Sequence, residues 1–241
     1  MDMKISGSGR IPAGEYDAIK ISGSGTIQGN IKCSEMHVSG SANAGGTVEC
    51  NGEIHVSGAC DFDKDIITQS LHVSGAINCD GSLTATDRVY LSGGVNIDGD
   101  MKCGTLDAHG GLNVDGDIEA ETASVHGNLV CGGLLNAESI EIEIRDGCLI
   151  GSIGGSKIVI RHKKRKFFKN LITISFNDKQ VRGIEIQQSI EGDEIDIESV
   201  TCPRVSGRTV KIGEGCEIEL LQYSECYEIH EKAKVGKIEK I

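Results

Sequence analysis

Two Asp-Gly-Asp triplets, residues 98–100 and 115–117, raise the question of calcium binding, because clustered carboxylates are ligands that calcium prefers. An EF-hand loop needs ligands at alternate positions and a bidentate Glu at its end. Here apolar residues follow each triplet directly, and the glycine-rich nine-residue repeat of calcium-binding solenoids is missing. Because the same triplet recurs at a regular interval that the surrounding residues share, we expect the two triplets to be stacked, water-facing corners of a repeating structure.

Three histidines, His37, His55 and His72, recur at nearly equal intervals and could in principle bind a metal ion through their imidazoles. The same interval continues along the chain through residues that do not form a ligand set: Tyr90, Asp107, Ser124 and Glu141. This pattern is typical of a solvent-facing column. We therefore expect no metal site and no other cofactor.

The positions of the cysteines and the absence of common catalytic motifs argue against an enzyme. Six of the ten cysteines fall where an inward-facing residue is predicted, and there a free thiol acts as a small hydrophobe: Cys33, Cys50, Cys60, Cys79, Cys103 and Cys131. The sequence has no CxxC pair, no GxSxG elbow and no GxxxxGK[ST] phosphate loop. We expect reduced thiols, no bound nucleotide and no catalytic residues.

Composition narrows the class of protein further. Aromatic residues make up only 3% of the 241 residues, whereas glycine occurs 33 times and proline twice, which favours many short strands joined by tight turns. The net charge of −12 argues against nucleic-acid binding. No apolar run approaches the about 18–20 residues that span a bilayer, and no signal segment is evident at the start, so we expect a cytoplasmic protein.

A repeat of about 17–18 residues dominates the sequence as far as residue 150. In each repeat, two apolar residues flank one polar residue, the period-two signature of a strand with one buried face. Two further series, beginning at Ala42/Ala44 and Ile31/Cys33, have the same period. Three strands per repeat predict an all-β fold, a parallel β-helix in the form of a triangular β-solenoid. The first series comprises Met36/Val38, Ile54/Val56, Leu71/Val73, Val89/Leu91, Leu106/Ala108, Ala123/Val125 and Ile140/Ile142.

Glycines recur at two predicted corners of this solenoid. We expect them to supply the positive φ that a sharp corner requires. The first corner has Gly40, Gly58, Gly75, Gly93, Gly110 and Gly127, and the second has Gly29, Gly46, Gly81, Gly99, Gly116 and Gly133.

The pattern changes after residue 150, and we divide the chain into a solenoid at 1–150, a strand-loop-strand excursion at 151–183, and a resumed or second short solenoid at 184–241. The excursion contains a basic cluster that could contact an anionic membrane surface or an acidic surface of another scaffold protein. The alternative is a lid that folds back on the solenoid. The predicted contact residues are Arg161, Lys163, Lys164, Arg165, Lys166, Phe167 and Phe168.

The apolar doublets, the Ser-Gly corners and the unbroken repeat from about residue 18 to 150 resemble the central domain of the bactofilins. Residues 190–225 are similar to the C-terminal part of a longer bactofilin-like subgroup. The resemblance implies a right-handed β-helix, a filament assembled without nucleotide, and a scaffold for cell shape, the envelope or the motility apparatus. The basic cluster could in addition place this cytoplasmic protein at the inner face of the membrane. The sequence shows no apolar N-terminal membrane tag, so we expect no attachment through that end.

A solenoid exposes a strand edge at each end, and such edges are either capped or used for assembly. We therefore predict a homopolymer. Two other classes stay open: an acyltransferase built on a left-handed hexapeptide solenoid, whose turns of three hexapeptides have a similar length, and a binding or adhesion solenoid with a flat polar face. The residues predicted to take part in self-assembly are Ile5, Ile11, Tyr16, Ile229, Val235 and Ile238.

Overall fold

The computed structural model of the protein describes residues 1–144, 147–162 and 183–241. Across these ranges the chain is built from strands, and no helix is long and apolar enough to cross a bilayer. The strands are β1 (Met3–Ile5), β2 (Ser8–Ile21), β3 (Ser24–Val38), β4 (Ser41–Ala44), β5 (Val48–Val56), β6 (Ala59–Phe62), β7 (Ile66–Val73), β8 (Ala76–Cys79), β9 (Leu83–Leu91), β10 (Gly94–Ile97), β11 (Met101–Ala108), β12 (Gly111–Val114), β13 (Ile118–Val125), β14 (Asn128–Ile144), β15 (Gly147–His162), β16 (Gly183–Ile197), β17 (Val200–Ile212), β18 (Glu217–Ile229) and β19 (Lys234–Lys240).

Every strand pairs in parallel with the strand one turn further along the chain, so that like positions stack. Val38 pairs with Val56, Val56 with Val73, and Val73 with Leu91. The result is a parallel β-solenoid of about 13 turns, which confirms the predicted fold class. At about 4.8 Å per turn the rod is about 60 Å long. Its handedness stays a prediction.

The solenoid continues past residue 150. Strand β15 runs to His162 and pairs with β14 on one side and with β16 on the other, so residues 151–162, assigned to the excursion from sequence, form part of a regular turn. Ile158 lies between Ile140 and Ile195 in one column. The coils after residue 183 thus stack directly on those before residue 163. The rest of the predicted excursion, residues 163–182, lies outside the described residues.

The core is a set of stacked aliphatic columns running along the rod. Inward positions along each strand alternate with outward ones, and the inward side chains of successive turns are almost completely buried. Among the described residues, Thr68 is the one buried polar residue, and its hydroxyl lies 2.8 Å from the carbonyl oxygen of Gly52 and 3.0 Å from that of Ser70. Its proton therefore has an acceptor, as a buried hydroxyl requires.

The reason predicted for the corner glycines is wrong except at Gly29. All these glycines are described, and Gly29, with φ of 97°, is the one among them with positive φ. At the Ser-Gly corner the constraint is close approach between turns: a Cβ on Gly75 would lie 1.9 Å from the carbonyl oxygen of Gly58, and one on Gly93 would lie 1.8 Å from that of Gly75. Any side chain here would push two turns apart.

At the second corner the Asp-Gly-Asp triplets form hydrogen bonds between turns. The Oδ1 of Asp100 accepts a hydrogen bond of 2.9 Å from the backbone N–H of Asp117, and Asp117 Oδ1 accepts one of 2.7 Å from Leu134 N–H. The carboxylate occupies the space that a Cβ on the next turn's glycine would need, since a Cβ on Gly116 would lie 2.2 Å from Asp100 Oδ1. These aspartates join successive turns.

Replacing Gly75 by Ala should destabilise the rod, because the new Cβ would overlap the Gly58 carbonyl. Overpacking of this kind typically costs about 1–3 kcal/mol. Gly94→Ala is the matched control, since a Cβ there meets nothing within 4 Å. We expect thermal unfolding to shift to lower temperature for Gly75→Ala only. Equal melting temperatures for the two variants would contradict the close approach.

Within a single triplet, Asp100→Ala should lower the free energy of unfolding and Asp98→Ala should not. Of these two aspartates, only Asp100 has a side-chain hydrogen bond among the described residues. A hydrogen bond to a charged group contributes about 1.5–3 kcal/mol. Urea unfolding measures both variants. We expect millimolar calcium to leave the unfolding midpoint unchanged, and a calcium-dependent increase that Asp100→Ala abolishes would mean that the triplet is a calcium site after all.

Thiol accessibility tests the inward register. Cys226 is exposed and the other nine cysteines are buried. Burial raises the pKa of Cys103 to about 12. A hydrogen bond from Cys33 lowers the pKa of Cys50 to about 7, but Cys50 is only 3% exposed, so access limits its reaction. N-Ethylmaleimide at neutral pH should modify Cys226 first and Cys50 and Cys103 only on unfolding, as mass spectrometry would detect. Rapid native modification of Cys50 or Cys103 would mean that the register is wrong.

Candidate functional site

The first turn of the solenoid forms one end of the described rod. Strand β1 pairs with β2 and, within the described residues, has no strand on its other side. Of the residues predicted to assemble here, Ile5 is 7% exposed and Ile11 is fully buried. Tyr16 is partly buried, packs on the core and donates a hydrogen bond of 2.8 Å from its hydroxyl to the carbonyl oxygen of Pro12. This end is therefore largely closed by its own side chains.

Tyr16 and Tyr223 occupy equivalent positions at opposite ends of one column. Between them the column contains small residues, among them Cys33, Cys50 and Thr68. Inside the rod these residues face a neighbouring turn on each side, so small side chains suffice. Near the two ends of the described rod, the rings of Tyr16 and Tyr223 take the place of these small side chains. They cover the part of the core that has fewer turns around it.

The last described turn forms the other end of the described rod, and large apolar side chains are exposed there. Tyr227 continues the inward column of Ile195 and Val210, but within the described residues no further strand pairs with it, and it is 43% exposed. Its ring lies 4.6 Å from that of Tyr223, measured between centroids. Ile238 is 42% exposed and Ile241 is 65% exposed.

The structure thus groups the six predicted self-assembly residues into two sets, one at each end, and their role in assembly stays a prediction. Ile229 and Val235 are partly buried against the core, which leaves Ile238 as the most exposed of the six. Tyr227 and Ile241 also lie at this end and were not predicted from the sequence. For Tyr227 the signal was available, because it follows the inward Val210 by one repeat length and shares the alternation of Ile229.

The basic cluster is described only at its first residue. Arg161 lies at the end of β15, where one Nη donates a hydrogen bond of 2.9 Å to the carbonyl oxygen of Asp196 and the guanidinium pairs with the carboxylates of Asp196 and Glu198. These contacts attach Arg161 to the solenoid wall and raise its pKa. Its predicted membrane or partner contact stays a prediction. The other predicted residues lie outside the described ranges: Lys163, Lys164, Arg165, Lys166, Phe167 and Phe168.

The histidine column stacks as predicted. His37 pairs with His55 and His55 with His72, and their ring centroids lie 5.8 Å and 4.5 Å apart. Tyr90 meets His72 edge-on at 4.8 Å. Partial burial and the neighbouring His72 lower the pKa of His55.

The carboxylate of Glu53, which was not predicted to belong to a site, lies beside this column. Glu53, two residues before His55, faces outward on the same strand, and its Oε1 lies 4.0 Å from His72 Nδ1. Glu53, His55 and His72 each place one ligand atom within 4.8 Å of the others. The signal in the sequence was the period-two spacing of Glu53 and His55.

Comparison with known proteins finds one matching family model. Residues 1–83 match the family model Bactofilin, described as polymer-forming cytoskeletal. No curated protein and no solved structure matches the chain. The matched segment covers about a third of the sequence, and the solenoid continues from it in register through β9 and beyond. The match confirms, over residues 1–83, the resemblance to the bactofilins stated from sequence.

Proposed function

We propose that the protein is a non-enzymatic cytoskeletal scaffold that assembles end to end into filaments without nucleotide. The observation that carries this proposal is the last turn, where Tyr227 has an inward position but remains 43% exposed. Inside the rod every equivalent residue is covered by the next turn. A second copy stacked on this end would supply that turn.

Two physical terms favour such a contact. The outer edges of β1 and β19 present backbone N–H and C=O groups without a strand partner in the described residues, and stacking would pair them. Burying the exposed parts of Tyr227, Ile238 and Ile241 would add hydrophobic stabilisation of about 25 cal/mol per Å². A contact between unlike ends does not close on itself and yields an open filament.

Electrostatic repulsion between copies opposes assembly, and its strength at the contact depends on where the negative charges lie along the rod. Each copy has a net charge of −12, so two copies repel at low salt. The C-terminal segment 230–241 contains four lysines against two glutamates, so this end is less acidic than the chain as a whole. The contact end therefore carries little of the repulsive charge, and salt should promote rather than inhibit filament growth.

The cellular role proposed here rests on the family resemblance. The family model describes polymer-forming cytoskeletal proteins, and we extend this to a cytoplasmic scaffold for cell shape, the envelope or the motility apparatus. Contact with the inner face of a membrane would come from the basic residues of 163–168, so it stays a prediction from sequence. The other two classes, an acyltransferase and a binding solenoid, both predict a protein that does not polymerise unaided.

Negative-stain electron microscopy and light scattering of the purified protein, without ATP or GTP, test the proposal. We expect filaments that Ile238→Lys weakens. Complete burial of an Ile contributes about 1.5–3 kcal/mol, and about 1.4 kcal/mol is tenfold in an association constant. With a buried charge added, the critical concentration should rise at least about tenfold.

Ile67→Lys is the matched control, because Ile67 is also 42% exposed but lies on the side of the rod in β7. We expect it to assemble like the wild type. A wild type that stays monomeric at tens of micromolar across salt and pH would refute filament formation. Filaments weakened by Ile67→Lys and not by Ile238→Lys would place the contact on the side of the rod.

A further inference from the structure

We propose that Glu53, His55 and His72 form a binding site for a divalent first-row transition ion of the zinc type. The three residues supply two imidazole nitrogens and one carboxylate oxygen, a donor set that such ions prefer over calcium or magnesium. Glu53 and His55 belong to β5, and His72 belongs to β7 one turn further along. The site therefore spans two neighbouring turns.

The backbone holds these residues close before any ion is present. His55 and His72 are paired positions on adjacent parallel strands, which fixes their Cα atoms about 4.8 Å apart. With metal–ligand bonds of about 2.0–2.2 Å, ligand atoms around a tetrahedral ion lie about 3.4 Å apart. The three ligand atoms lie within 4.8 Å of one another, so movements of about 1 Å complete the site. These side chains are partly exposed, at 49% for Glu53 and 37% for His72, and can rotate that far.

The two ring nitrogens of His72 have different neighbours, as expected for a histidine that binds a metal ion through one of them. Its Nε2 lies 3.4 Å from the hydroxyl of Ser74, while its Nδ1 is the nitrogen that faces Glu53. Histidines that bind metal generally donate their other ring N–H to a neighbouring oxygen, which fixes the tautomer and the orientation of the ring. Ser74 can accept that bond and leave Nδ1 free for the ion.

A second pair of histidines on the same side of the rod shows what distinguishes this site. His109 and His126 stack with ring centroids 5.0 Å apart, but each has its own carboxylate partner: Asp107 at 2.9 Å from His109 and Glu143 at 3.3 Å from His126. Asp107 also pairs with Arg88, whose cation would repel a metal ion. His109 and His126 stack but share no single carboxylate among the described residues, so they serve as an internal control for the proposed site.

Three protein ligands leave at least one position of a tetrahedral ion open to water or to another ligand. An ion bound here links two turns of the folded rod and has no equivalent site in the unfolded chain. Binding to the native state alone raises the free energy of unfolding. We therefore expect Zn²⁺ to raise the melting temperature as well as to bind.

The test uses the full chain in a Cys226→Ser background, so that the exposed thiol cannot bind the ion. Equilibrium dialysis with Zn²⁺ measures the dissociation constant, and the absorption of bound Co²⁺ reports its coordination. We compare the parent with His55→Gln/His72→Gln and with the matched control His109→Gln/His126→Gln. Losing two ligands should weaken binding by more than the about 10- to 100-fold that loss of an outer-shell partner costs.

The expected result is one Zn²⁺ per chain in the parent and in the control, loss of binding in His55→Gln/His72→Gln, and a Zn²⁺-dependent rise in melting temperature that is lost in the same variant. Absence of saturable binding by the parent overturns the proposal. Equal weakening in both double variants also overturns it, because it would mean that histidines bind the ion without regard to Glu53. Neither result bears on filament formation, which is measured separately without added metal.

Discussion

The distance between successive turns is the constraint on which the rest of the structure depends. Parallel pairing fixes it at about 4.8 Å everywhere, at the corners as well as along the strands. At the Ser-Gly corner this spacing brings each glycine against the carbonyl oxygen of the glycine one turn before, as at Gly58 and Gly75. No side chain fits, so the corner repeats the same residue while the faces between corners vary. The recurrence of glycine at this corner follows from this one dimension.

The same spacing sets what the outer faces can do. A side chain on one turn has a fixed neighbour on the next, so chemical groups accumulate in lines. One line joins turns through carboxylates that accept backbone N–H groups, as Asp100 does from Asp117. Another brings imidazoles into ring contact, as at His55 and His72. A feature that looks like a ligand cluster in the sequence can thus be a structural bond between turns, and a column that looks inert can gather ligand atoms.

The inward columns could be predicted from sequence because they depend only on period-two alternation and a constant turn length, as the pairing of Val56 with Val73 illustrates. The role of Gly75 could not, since a clash between turns depends on the separation of atoms that lie a whole repeat apart in the sequence. A strand was predicted at residues 157–160 but was assigned to the excursion, because the 17–18-residue spacing of apolar doublets changes after residue 150, whereas β15 extends to His162. The approach of Glu53 to His72 depends on side-chain direction, which a spacing pattern does not give.

In the described residues each turn pairs with the turn before and the turn after, while the two ends of the described rod are made by different residues, with Tyr16 near one and Tyr227 at the other. Length and end chemistry are therefore separable properties of this molecule. Removing or duplicating one whole repeat from the middle would change the length of the rod by about 4.8 Å and leave both end surfaces as they are. The length of a rod built in this way can therefore change in fixed steps while the contacts at its ends stay the same.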